Sequence, residues 1–300
     1  MRIYSLTDGF RDFLGFEDDG TLIDLTKAIA FYEISRNGYF DEPYVDIEEM
    51  IWDNLFTVNY IGDVMEYVLK YGLKNDLLVE KGYSVNAPLY PGKIIALGNN
   101  YHAHIKEMGQ AIPEEPVLFG KWPSAVISHG ESIRKPSWIG RMDYEAELAV
   151  VIGRRARNVN TLTAMSYVAG YTCLNDVTAR DIQRKDLGRS LPWMPSKNFD
   201  TFAPMGPCVL LSGTVKEPVE LDVQSRVNGV MKQNGNTRDF IFDIPSVIEY
   251  ITRIMTLEPC DVVTTGTPVG VGALEPGDVV EIICSGVGTL SNPVVSSEMN

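Results

Sequence analysis

The run Asp143-Tyr-Glu-Ala-Glu-Leu-Ala-Val-Val-Ile-Gly153 is apolar and β-branched, carries Glu145 and Glu147 near its start, and closes on a glycine. This composition predicts a strand. In a strand residues i and i+2 share a face, so Glu145 and Glu147 project together with Cα atoms roughly 7 Å apart, while Ala146, Leu148 and Val150 take the other face. Two like charges side by side on a buried sheet repel each other and lose hydration, so either that face is wet or something cationic lies between them. The solvated face of an ordinary antiparallel strand would show the same alternation with no functional meaning. A further carboxylate after the next apolar run, Tyr171-Thr-Cys-Leu-Asn-Asp176, favours the cation. Three oxygen donors leave positions on a six-coordinate ion for water and a chelating substrate, which suits Mg²⁺ or Mn²⁺ better than zinc.

The rest of the composition narrows the class. A chain of 300 residues with 45% hydrophobic content can bury a sizeable core as one large domain, or as one large and one small. No run approaches the ~18 apolar residues of a membrane span, and no basic segment followed by an apolar core opens the chain, so a soluble cytoplasmic protein is expected. Cys173, Cys208, Cys260 and Cys284 stand far apart in apolar contexts, which indicates reduced core thiols and neither a disulfide framework nor a thiolate metal site. A net charge of -14 repels phosphate backbones and anionic membranes, so neither nucleic acid nor membrane is an expected partner. Most of the acidic excess precedes residue 90. Basic residues gather instead between Arg134 and Lys197, which fits a small anionic substrate, although an exposed salt-bridged face would look the same.

Residues 1–88 read as a small α/β module, with short strands at Arg2 to Leu6 and Thr21 to Leu25 and amphipathic helices at Lys27 to Arg36 and Tyr60 to Tyr71. The Pro- and Gly-punctuated Asn86-Ala-Pro-Leu-Tyr-Pro-Gly92 marks the boundary with a larger unit at 89–300. That unit opens with a strand from Lys93 to Leu97. Asn99 or Asn100 can then cap a short helix through Met108 that stops at Gly109. His104 and Glu107 are i and i+3 on this helix, so the carboxylate can orient the imidazole as a general base requires; a surface ion pair would also explain them. His102 faces away. Beyond the acidic strand, Ser166 to Leu174 reads as a strand and Val177 to Leu187 as a helix, with Asp176 at the junction, where it could simply be an N-cap. On that reading Asp176, Arg180 and Gln183 share one helical face, a plausible cradle for a carboxylate ligand. A Pro-stiffened loop, Leu191 to Asp200, presents Lys197. Asn228-Gly229 signals a hairpin between β-compatible runs. The Gly-rich turn after Asp261-Val-Val-Thr-Thr lacks the lysine of a phosphate-binding loop.

Several of these motifs occur in an order that resembles one family. Asn100-Tyr-His-Ala-His104, Glu145-Ala-Glu147, Asn175-Asp-Val-Thr-Ala-Arg-Asp-Ile-Gln183, Leu191-Pro-Trp193 with Lys197, Thr265-Gly-Thr-Pro-Val-Gly-Val-Gly272 and Gly286-Val-Gly288 are similar to the fumarylacetoacetate hydrolase family over about residues 92 to 295. The resemblance implies an α+β, β-rich fold: a mixed β-sandwich roll with the small N-terminal α/β module, usually assembled as a homodimer. It implies Mg²⁺ or Mn²⁺ held by Glu145, Glu147 and Asp176, and a catalytic role for His104 and Glu107 on a ligand-ordered lid. Lys197 joins them in the catalytic set, while Arg180, Gln183, Thr265, Gly266 and Thr267 fall to substrate binding.

The function this implies is metal-dependent cleavage of the C–C bond of an acylpyruvate or related 2,4-dioxo acid through a metal-bound pyruvate enolate. His104 and Glu107 would activate water, and Lys197 would neutralise the oxyanion. The same enolate serves decarboxylation of an oxaloacetate-type 2-oxo acid, or isomerase, hydratase and dehydratase chemistry on 2-keto-3-deoxy acids. A rival of another class is a non-catalytic Ca²⁺-binding protein, which the cationic residues around the carboxylates argue against.

Overall fold

The structure is a computed structural model that describes residues 1–39, 42–109 and 111–298, with the side chains of residues 104, 107 and 108 outside the described set. The chain is α+β and strand-rich, and its centre is the strand Ala146–Ile152, in which every residue is buried. Its two faces go to different places, as the period of two requires. Leu148, Val150 and Ile152 enter one apolar cluster, while Ala149 and Val151 enter another.

The strand lies inside an 11-stranded mixed sheet whose main path runs Thr21–Asp24, Asp12–Asp18, Arg2–Thr7, Ala203–Leu211, Val168–Asn175, Ala146–Ile152, Val262–Thr264, Ile94–Gly98, Val117–Lys121. Most neighbours are antiparallel, and Val262–Thr264 with Ile94–Gly98 is a parallel pair. A second sheet, Val230–Asn236, Asp222–Val227, Val279–Cys284, Gly288–Ser297 and Ile133–Pro136, covers the face that carries Leu148 and Val150. Val223, Val280, Ile282, Cys284 and Leu290 meet Leu148, Val150, Tyr171 and Cys173 there, which makes the sandwich. The opposite face is covered by the helices Leu25–Asn37 and Val58–Lys70, whose Ala28, Ile29, Ile61, Val64 and Val68 pack on Ile3, Leu14, Val209 and Val151. Arg2–Thr7 pairs with Ala203–Leu211, so the first strands extend the same sheet as the later chain. All four cysteines are free and buried, and among the described residues no helix is long and apolar enough to cross a membrane.

Local chemistry explains several boundaries. Asp24 accepts from the Lys27 N–H at the start of the first helix, and Gly38 closes that helix in the left-handed conformation. Asn228 and Gly229 both have positive φ, the backbone of a type I′ turn, and join Asp222–Val227 to Val230–Asn236.

Three expectations are corrected. The run from Asp143 is not one strand: Met142–Tyr144 belongs to a three-stranded sheet with Thr178–Ala179 and Gly272–Leu274, and the chain passes to the large sheet at Glu145. The helix expected from Val177 starts only at Arg180, because Thr178–Ala179 first pairs with Met142–Tyr144; Asp176 therefore stands off the helix and is not its N-cap. The helix His102–Met108 has Tyr101 at its N-cap with no side-chain cap, because Asn100 spends its carboxamide on the Phe242 and Thr265 main chains.

Strand Val168–Asn175 approaches Ala203–Leu211 most tightly at Gly170, where an added Cβ would sit 2.4 Å from the Leu210 carbonyl oxygen and 2.5 Å from Val209 Cγ1. Backbone cannot rotate away as a flexible side chain can. Gly170→Ala is expected to lower stability by about 1–3 kcal/mol through overpacking, measured as a reduced urea midpoint with unchanged slope. An unaltered midpoint would show that the two strands separate at no cost.

Candidate metal centre and active site

Glu145 sits where the chain leaves one sheet for the next, and its main chain is held from both sides. Its N–H donates to Asn175 Oδ1 at 3.0 Å, and its carbonyl accepts from the Asp176 N–H at 2.9 Å. This clamp brings Asp176, at the end of the neighbouring strand, beside the Glu145–Glu147 pair. The three carboxylates, each buried, place one ligand oxygen apiece within 4.8 Å of one another. The tertiary fold therefore assembles what the spacing of Glu145 and Glu147 only suggested.

The cost of crowding three buried carboxylates is offset by cations from three other elements. Lys197, on the short helix Met194–Lys197, donates from Nζ to Glu145 Oε2 at 2.7 Å and Asp176 Oδ2 at 2.5 Å, and stands 5.0 Å from the Phe119 ring centroid. Lys121, at the end of Val117–Lys121 and fully buried, donates to the Lys197 carbonyl at 2.5 Å. Its Nζ also lies 2.8 Å from Asp176 Oδ1, a buried ion pair. Arg180 bonds Glu145 Oε1 and, through NH1 at 2.5 Å, Gln183 Oε1. Its Nε is held at 2.7 Å by Asp143, which also takes the Arg141 Nε at 2.6 Å.

The charges respond unequally. Burial works to raise the Glu145 pKa, but Lys197 and Arg180 outweigh it and hold the carboxyl down at about 2. Among the described residues no cation bonds Glu147: burial and then the Asp176 charge push its pKa well above the ordinary range, and its Oε2 accepts from the Gly266 N–H at 3.0 Å. Burial also works against the Lys197 charge, yet Asp176 and Glu145 prevail and raise its pKa. For Lys121 burial prevails and the pKa falls. Positive charge thus reaches Glu145 and Asp176, while Glu147 is driven toward protonation. Three hard oxygen donors at this spacing fit a divalent cation such as Mg²⁺ or Mn²⁺.

These groups line a cavity of about 110 Å³. Glu145, Glu147, Asp176, Arg180, Gln183, Lys197 and Thr267 form its polar side, and Leu97, Phe119, Leu187 and Trp193 its apolar side. Trp193 stacks on Phe119 with ring centroids 5.4 Å apart. The turn after Val262–Thr264 divides its labour. The Thr265 hydroxyl donates to the Leu148 carbonyl at 2.8 Å, Gly266 orients Glu147, and Thr267 faces the cavity. The side chains of His104 and Glu107 lie outside the described residues; their helix, His102–Met108, follows the cavity-lining Leu97, Gly98 and Asn99.

Sequence reasoning missed Lys121, Asp143 and Gln233, which serve the site from below. Lys121 had the one available signal: a charge ending an otherwise apolar strand. Asp143 and Gln233 carried none, since nothing local announces what a strand residue will meet across sheets.

Residues 93–295 match the family described as fumarylacetoacetate (FAA) hydrolase C-terminal. An uncharacterized protein of Archaeoglobus fulgidus is 45% identical over 243 residues, 79% of this chain and 94% of that one. The oxaloacetate tautomerase YisK of Bacillus subtilis is 41% identical over 222 residues, 70% of this chain and 72% of that one. Among solved structures, a 5-carboxymethyl-2-hydroxymuconate delta-isomerase from Mycobacterium smegmatis superimposes with TM-score 0.73 at 32% identity, covering 99% of each chain.

The charge imbalance has a measurable consequence in the absence of divalent ions. Because folding raises the Glu147 pKa above its ordinary 4.5, the folded chain holds a proton that the unfolded chain releases, so stability falls as pH rises above about 4.5. Glu145 acts oppositely: its contribution is present above about 4.5 and is lost as pH falls toward 2. In EDTA, Glu147→Gln is expected to flatten the alkaline decline of melting temperature between pH 5 and 8 while weakening Mn²⁺ binding in calorimetry. A decline as steep as the parent's would remove Glu147 from this account.

Proposed function

From the premise that the chain belongs to the fumarylacetoacetate hydrolase family, we propose that it is a divalent-metal-dependent enzyme that interconverts the enol and keto forms of a small, oxaloacetate-type 2-oxo acid. The observation that carries this reading is the Lys197 ammonium fixed between Glu145 and Asp176 on the polar side of the cavity. The names carried by two similar proteins, an oxaloacetate tautomerase and a hydroxymuconate isomerase, support it, since both reactions move a proton next to a carbonyl.

Glu145, Glu147 and Asp176 would hold the ion. Bound there, Mg²⁺ or Mn²⁺ would supply a Lewis acid that favours negative charge on the 2-oxo oxygen and so acidifies C3. The protein groups do the rest. Lys197, kept protonated by its two carboxylates, donates to the developing oxyanion. Arg180, already stretched between Asp143 and Glu145, adds fixed positive charge on the same side, and Gln183 beside it orients the substrate. Thr267, on the turn with Thr265 and Gly266, holds the substrate carboxylate. Phe119 and Trp193 exclude water from the opposite wall, which strengthens each of these interactions. His104, assisted by Glu107 one helical turn away, carries the proton to and from C3.

The helix that places His104 and Glu107 one turn apart also favours a second reading, hydrolysis of an acylpyruvate, in which the same pair activates water. Both readings use His104, so they part at the product: enol–keto exchange leaves the carbon skeleton whole, whereas hydrolysis cleaves it.

The test is a spectrophotometric screen of oxaloacetate enol–keto exchange, oxaloacetate decarboxylation and acylpyruvate cleavage. EDTA-treated protein is expected to be inactive and to recover with Mg²⁺ or Mn²⁺ more readily than with Ca²⁺. Lys197→Met should cost about 10²- to 10³-fold in kcat, the usual effect of losing an oxyanion donor. Turnover undiminished by EDTA would overturn the metal. Ca²⁺-dependent melting with no turnover of any of these acids would make the site a structural one. Acylpyruvate cleavage in excess of enol–keto exchange would select hydrolysis.

A further inference from the structure

The Asn228-Gly229 hairpin delivers a residue to the site that no motif singled out. Gln233, on Val230–Asn236, is completely buried, and all three of its side-chain hydrogen-bonding groups are used. Its Oε1 accepts from the Ala146 N–H at 3.0 Å, and its Nε2 donates to Thr267 Oγ1 at 2.8 Å and to the Pro268 carbonyl at 2.7 Å. The orientation of the carboxamide follows from these partners. Ala146 can only donate and the Pro268 carbonyl can only accept, so the reversed amide would set N–H against N–H and C=O against C=O. Gly235 makes the approach possible, because a Cβ there would lie 2.5 Å from Pro268 Cβ.

A fixed carboxamide fixes the hydroxyl next to it. Thr267 Oγ1 accepts a hydrogen bond from Gln233, and among the described residues nothing accepts one from the hydroxyl in turn. Thr267 is 6% exposed and lines the cavity, so that proton has the cavity as its outlet. Ala146, the residue between Glu145 and Glu147, is the other anchor, so one side chain sets the distance between the carboxylate pair and the donor. We propose that Gln233 is a positioning residue that makes Thr267 a one-way hydrogen-bond donor to an anionic oxygen of the substrate, registered against the metal-binding carboxylates. The inference rests on the reading of the cavity as a 2-oxo acid site.

Oxalate, a small dianion shaped like the carboxylate and 2-oxo group of such an acid, is the probe, titrated calorimetrically at saturating Mn²⁺. Gln233→Glu keeps the length and the acceptor for Ala146 but offers Thr267 an acceptor, which turns its proton away from the cavity. This variant and Thr267→Val are each expected to weaken oxalate about 10- to 100-fold, the effect of one hydrogen bond to a charged group. Mn²⁺ affinity should stay near the parent's, and so should the melting temperature of Thr267→Val. Thr267→Ser should bind like the parent, and Gln233→Glu combined with Thr267→Val should lose no more than either alone. Gln233→Met, which frees the hydroxyl without redirecting it, should lose less than Gln233→Glu; where the buried carboxylate prevents folding, a loss in Gln233→Met supports the inference and parent-like binding overturns it. A parent that takes up Mn²⁺ but no oxalate overturns the 2-oxo acid reading and the inference with it. Parent-like binding by Thr267→Val removes the donor itself. A weakened Thr267→Val beside Gln233 variants at the parent's affinity overturns the role of Gln233 alone.

Discussion

Three buried carboxylates within 4.8 Å of one another are the constraint around which this molecule is arranged. Charges removed from water at that spacing repel each other and lose their hydration, and a fold that contains them must either neutralise them or let them take up protons. The structure does both. Glu145 and Asp176 are met by Lys197, Lys121 and Arg180, whereas among the described residues no cation bonds Glu147, which is driven toward its protonated form. Positive charge thus reaches Glu145 and Asp176 and stops short of Glu147, the carboxylate that a bound cation would relieve.

Much of the architecture can be traced to delivering those cations. Lys121 ends a strand at the edge of the main path of the large sheet, Lys197 stands on a four-residue helix, and Arg180 opens another, so three separate segments converge on one pair of adjacent strand ends. Each cation is also tied down behind the site: Arg180 by Asp143, Lys121 by the Lys197 carbonyl, and Lys197 by its place against Phe119. Such ties matter because an unanchored lysine or arginine loses side-chain entropy when it is immobilised, while one already held contributes its field at no further reorganisation. The sandwich core beneath Leu148 and Val150 supplies the rigidity on which this precision rests.

The turn Thr265-Gly266-Thr267 shows the same economy. Its three residues face three ways, toward the strand backbone, toward Glu147 and toward the cavity, and neighbouring carboxamides from Asn100 and Gln233 lock the main chain and the hydroxyl. Polar groups buried this completely must be satisfied, and the way they are satisfied here gives each a direction.

What the sequence determined by itself was local. The alternation in Ala146 to Ile152 put the carboxylates on one face and Leu148 and Val150 on the other, Asn228-Gly229 specified its turn, and the 3.6-residue pattern located the two long N-terminal helices, since each depends on neighbours a few residues away. The ordered motifs fixed the family. Local reasoning failed where distant chain competes for the same backbone. Val177 does not begin a helix because Thr178–Ala179 pairs with Met142–Tyr144, and Asn100 does not cap one because Phe242 and Thr265 claim its side chain. Tertiary structure alone decided that Lys121 would meet Asp176, that Asp143 would hold Arg180, and that Gln233 would join Ala146 to Thr267. These contacts link residues 34 to 87 positions apart, and the field that selects them exists only once the sheets have closed.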